Sequence, residues 1–147
     1  AALQLTGMRE NASALWHSQA TWLAYDMADR MRANLDHRLT TAAGDRANHY
    51  AGIAVPAQPS GDEQTEDVTC GAGDNCNFAA MAAADEYEWG LQIAWLPGGT
   101  GTVTKVDDAA GRYRIRVMWD EGANTGCPSD SDGESTEQTC VEITLQP

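Results

Sequence analysis

Four cysteines, at 70, 76, 127 and 140, are the side chains here whose chemistry is most constrained by spacing and surroundings. They lie in polar, glycine-rich stretches rather than apolar runs, which suits an oxidising compartment and a pair of disulfides. Three pairings are open. Joining the near neighbours, Cys70 with Cys76 and Cys127 with Cys140, would staple two loops that otherwise have little to hold them. Zinc is the rival use of four thiolates. Neither pair is Cys-x-x-Cys, the flanks are acidic, and no histidine sits beside them, so the spacing argues against a metal.

The other reactive side chains form no recognisable machinery. His17, His37 and His49 lack an i,i+4 partner or a glutamate frame for a helical zinc site, and read as solvated. No Gly-x-Ser-x-Gly elbow, phosphate-cradling loop or dinucleotide fingerprint occurs, and "LPGGTGTV" reads as a helix stop followed by a strand. In "PSDSDGESTEQ", Asp130, Asp132 and Gly133 mimic the middle of a calcium loop, but Pro128 and Thr139 occupy its first and last ligand positions. Asp85, Glu86 and Glu88 read as solvated helix charge, since nothing nearby supplies a nucleophile. Tryptophans 16, 22, 89, 95 and 119 are spread over three elements, which favours packing over one sugar platform. No catalytic group, metal or cofactor is expected.

These residues must be positioned by one domain, since 147 residues suffice for one core and not for two. A formal charge of -13 disfavours nucleic acid and anionic lipid as partners. No stretch approaches the roughly 18 apolar residues of a membrane span.

Residues 1–34 are expected to form one helix. Leu5, Met8, Ala12, Leu15, Trp22, Leu23, Met27 and Met31 recur at spacings of three and four, and Asp26 and Arg30 form an i,i+4 pair. Residues 35–77 read as a loop region with short elements, a turn or two of helix preceding "VPAQPSGDEQTEDVTCGAGDNCN". A second helix is expected over 78–96, stopped by "PGG" and weakened by Gly90. Residues 101–147 then read as an antiparallel sheet. In "RYRIRVMW", Tyr113, Ile115, Val117 and Trp119 face the core, and Arg112, Arg114 and Arg116 face outward, with Glu142 a partner across the sheet. Val141, Ile143 and Leu145 point inward from the last strand. The fold class is α+β, a long helix laid on a small antiparallel sheet with a disulfide-closed C-terminal loop.

That order of elements resembles a type IV pilin, and particular residues sharpen the likeness. Leu3 to Asn34 is similar to the segment that follows the membrane part of the first helix in PilV-type minor pilins. The similar positions are Ser18, Gln19 and Ala20, then Ala24, Tyr25 and Asp26, then Ala28 to Asn34. "AAADEYEWGLQIAWLPGGTGTV" resembles a second motif of that family through Asp85, Trp89 and Leu96 to Gly99. "RVMWDE" and the trailing cysteines also fit.

The resemblance implies a type IV pilin-like fold and a binding role, without catalysis: a minor pilin of the complex that starts pilus assembly and sits at or near the tip, supporting adhesion and motility. It implies other minor pilins, the major pilin and a tip adhesin as partners. It also implies a leader, a cleavage site and an apolar helix half upstream of Ala1, anchoring the protein in the inner membrane before it joins the cell-surface pilus. Leu3, Leu5, Met8, Ala12 and Leu15 would then face filament neighbours. Leu15 again, with Trp22, Leu23, Met27 and Met31, would cover the sheet. The alternatives are a type II secretion pseudopilin, whose architecture is related, and an adhesin domain binding calcium or glycans through the acidic loop and tryptophans.

Overall fold

A computed structural model describes residues 2–36, 43–57, 70, 74–107, 110–122, 126–127 and 138–147. Helix α1 is continuous over Ala2–Ala33, 32 residues or about 48 Å at 1.5 Å per residue. A 3-10 helix spans Ala43–Tyr50. Strand β1 (Ala54–Val55), helix α2 (Phe78–Ile93) and strands β2 (Thr100–Asp107), β3 (Arg112–Trp119) and β4 (Thr139–Leu145) follow. The sheet is an antiparallel meander in the order β1-β2-β3-β4. The α+β class and the helix-on-sheet packing are therefore as expected.

The alternation of β3 decides which face is the core. Tyr113, Ile115, Val117 and Trp119 are fully buried, and α1 lays Ala20, Leu23, Ala24, Met27, Ala28 and Met31 over them. Three of these helix residues are alanines, so the backbone of α1 comes close to the sheet. On the other face, Arg116 stands opposite Glu142 and bonds it through Nη2 at 2.7 Å, the pairing that the strand pattern suggests. Arg114 shares the same carboxylate at 3.3 Å.

Trp22 does not cover the sheet. It is 58% exposed, whereas Leu23, Met27 and Met31 are buried. At 100° per residue, Trp22 lies about 140° around the helix from Met27, and Leu15 falls beside Trp22 rather than beside the core. Spacings of three, four and seven fit two stripes of α1 at once. The inward stripe runs through Ala20, Leu23, Met27 and Met31; the outward one runs through Met8, Leu15 and Trp22.

Helix α2 begins at an Asn77 cap whose side chain accepts from the Ala80 N–H, and it ends at Ile93, three residues short of expectation. A turn takes over, with Gly98 at φ 58°. That turn is fastened to the sheet: the Asp120 N–H donates to Pro97 O at 2.8 Å, and Gln138 Nε2 donates to Gly98 O at 2.9 Å. Strand β1, with only two residues, carried no readable period, and it exists because Ile53 O accepts from the Val103 N–H and pins the segment beside β2.

Both near-neighbour disulfides form, Cys70–Cys76 and Cys127–Cys140. Cys140 lies in β4 as the register partner of Met118, so the second bridge ties the segment at Cys127 to the edge strand beside β3. Reduction should lower the stability by about 3 kcal/mol for this bridge, whose loop is some 13 residues, and by less for the shorter one. Urea denaturation with and without a thiol reductant, and of a Cys127→Ser, Cys140→Ser variant, measures both.

Burial raises the pKa of Glu86. The folded state therefore binds this proton more tightly than the unfolded chain does, and stability declines as pH rises through the raised pKa. Glu86→Gln should flatten that decline; urea midpoints from about pH 4 to about pH 7 would show it.

Candidate assembly interface

The two halves of α1 live in different surroundings. From Ala20 onward one side is core, while Leu3, Leu5, Met8 and Leu15 are exposed and Ala12 is half-buried. A Cβ built on Gly7 would meet nothing within 4 Å. The expected partner-facing residues thus stand on an uncovered helix, among the described residues, and four of the five are large and apolar. Water gains when such groups are covered, so the stripe is suited to association rather than to chemistry.

Where α1 leaves the sheet, a groove of about 920 Å3 opens between Arg9, Ser13, Trp16 and His17 on the helix and Asp120 to Gly122 after β3. The His17 ring meets Trp119 edge-on, with centroids 4.8 Å apart, and its Nε2 lies 3.7 Å from Glu121. His17 is therefore a contact between α1 and the end of β3, not only a solvated side chain. His49 lies 3.5 Å from Asp36, and His37 falls outside the described residues.

The position of α2 against α1 is set by a charged hub that sequence reasoning missed. Arg30 bonds Asp26 at 2.8 Å, Asp85 at 2.9 Å and Glu88 at 2.8 Å. Tyr50 donates its hydroxyl hydrogen to Asp85, and Asn34 Nδ2 donates to the Tyr50 oxygen at 3.0 Å. Burial first, then the bond to Asp85, raises the Tyr50 pKa well above its ordinary value, so the phenol stays a donor. Desolvation opposes the charge on Arg30, yet the bonds to Glu88, Asp26 and Asp85 outweigh it and raise its pKa. Asp85 and Glu88 are thus ligands of a cation rather than idle helix charge. Only the Asp26–Arg30 spacing was visible in the sequence; the other carboxylates are more than 50 positions away. Tyr50→Phe should cost about 1–3 kcal/mol, because Asp85 loses a donor and Asn34 an acceptor in a part-buried place. Thermal melts of that variant test it.

Among the described residues, no three His, Cys, Asp or Glu side chains converge to hold a metal ion. The calcium-like loop at 128–139 lies almost wholly outside them, and so does its test. No described helix is long and apolar enough to cross a membrane. Comparison with protein families, with curated proteins and with solved structures finds no match. The arrangement itself must carry the functional argument.

Proposed function

We propose that the chain is the globular domain of a minor subunit of a type IV pilus, PilV-like in its first helix. Support comes mainly from one observation: α1 is a single helix whose later half is core and whose earlier half displays Leu3, Leu5, Met8 and Leu15 uncovered. A helix that is half core and half bare apolar stripe is suited to joining a bundle of like helices. The paired disulfides agree with folding in an oxidising compartment such as the periplasm. In this reading the protein binds and does not catalyse. Its neighbours are other minor pilins, the major pilin and a tip adhesin, and nucleic acid is no partner. An inner-membrane helix half anchors it until it enters the cell-surface pilus.

Affinity purification of the full-length, membrane-anchored protein from its native envelope tests this. Recovery of other minor pilins is the expected result. Recovery of secretion pseudopilins would assign the domain to the related machine, and recovery of neither would remove the reading.

A further inference from the structure

Two large aromatic side chains stand in water. Trp22 of α1 is 58% exposed and Trp95, just past α2, is 84% exposed. Leu15 and Leu91 are exposed as well. These four belong to one surface. The helices run antiparallel, since Asn34 Nδ2 donates to Phe78 O at 2.9 Å at the start of α2, while Leu23 O, eleven residues earlier in α1, accepts from Trp89 Nε1 at 3.0 Å near its end. Trp22 lies two turns before Arg30 along the line through Asp26. Leu91 and Trp95 lie three and seven residues after Glu88, and the Trp95 N–H still donates to Gln92 O, so the helical path continues to it. That register sets Trp22 across from Leu91 and Trp95, with Leu15 one turn-pair further along the same line of α1.

The floor between these walls is polar and acidic. Arg30 is one guanidinium held by three carboxylates, which leaves negative charge in excess at one end of the seam. Apolar walls and an acidic end suit an occupant that is apolar along one stripe and carries positive charge beside it. A second copy is disfavoured, because each chain brings a formal charge of -13. An anionic membrane is disfavoured on the same ground.

We propose that the outer seam of α1 and α2, walled by Leu15, Trp22, Leu91 and Trp95, is a docking groove for an amphipathic helix of a partner protein with Lys or Arg flanking its apolar stripe. The site lies beyond the Leu3–Met8 stretch of α1, shares only Leu15 with the proposed filament face, and does not depend on the pilus reading. The two exposed indoles would act as anchors at its centre and report its occupation.

The probe is a fluorescein-labelled synthetic helical peptide of leucine, alanine and lysine, with leucine at helical spacing, titrated with the whole domain while peptide anisotropy gives the affinity and tryptophan emission the site. A glutamate-for-lysine mirror peptide and phosphatidylcholine vesicles are the comparisons. Saturable binding of the lysine peptide with a blue shift is expected. It should weaken at least about tenfold in Trp22→Ser, Trp95→Ser, the effect of losing central anchors, and be unchanged in Val106→Ser on β2. All the replaced side chains face water, so circular dichroism should show each variant folded. Binding that ignores the tryptophan changes, equal binding of the mirror peptide, a shift with vesicles alone, or a dimer abolished by Trp95→Ser would each overturn the proposal.

Discussion

Replacing Gly101 with valine should destabilise the domain by about 3 kcal/mol, the upper end of overpacking costs, and lower its Tm by roughly 10 °C. Gly101 is buried at the start of β2, where α2 crosses the sheet. A Cβ there would come within 2.6 Å of Trp89 Cη2 and 2.8 Å of Cζ3, besides meeting Ile93 Cδ1. Neither neighbour can yield. Both are fully buried, and the Trp89 indole is fixed by its hydrogen bond to Leu23 O. The insertion would therefore push α2 off β2 and loosen α2 from α1 at once. Thermal unfolding followed by circular dichroism reads the effect; an unchanged Tm would mean that α2 does not rest on Gly101. Gly90, on the other side of the same contact, should tolerate alanine better, because its nearest neighbour is the Val55 side chain at 3.3 Å.

Arg30→Met should cost about 2–4 kcal/mol, since it removes one cation and leaves three carboxylates facing each other at the junction of α1 and α2. The arginine side chain is 19% exposed, so water softens the loss below that of a fully buried charge. Two controls separate electrostatics from packing. Added salt should recover part of the lost stability, because the remaining repulsion is screened. Glu88→Gln should cost less than about 1 kcal/mol, as Glu88 is 59% exposed and Asp26 and Asp85 remain on the arginine. Urea midpoints of both variants at low and high salt decide the matter. A loss in Arg30→Met that salt does not touch would make Arg30 a packing residue rather than the neutralising hub.

How legible this fold was depends on the kind of signal each element carried. Strand β3 was readable to the residue because its core face is completely buried, and a one-residue error of register would have turned Tyr113, Ile115, Val117 and Trp119 to the outside. The Arg116–Glu142 pair followed from the same alternation. The disulfides followed from compartment and proximity. Helix α1 was readable as a helix but not as a surface: spacings of three, four and seven fit two stripes, and only tertiary contact decides which one the sheet takes. Trp22 was misplaced for that reason. The Arg30 hub stayed hidden because charge in a helix resembles solvation until another element arrives, and Asp85 and Tyr50 come from elements far along the chain. Strand β1 has too few residues to show a period at all. As for the interface, only the resemblance to pilins set Leu3, Leu5 and Met8 apart from the residues that cover the sheet, since their spacing continues a single stripe, whereas the Trp22–Trp95 seam needed the antiparallel register of α1 and α2.

The central claim is that the early half of α1 packs against pilin subunits. Site-specific photo-cross-linking tests it most directly, with p-benzoylphenylalanine placed at Met8 of the full-length protein in its native cells, and at Val106 as the comparison position. The account predicts cross-links from Met8 to other pilins of the same pilus and none of that kind from Val106. Cross-links from Met8 only to proteins outside any pilus, or none from Met8 while the protein is folded and membrane-anchored, would contradict it.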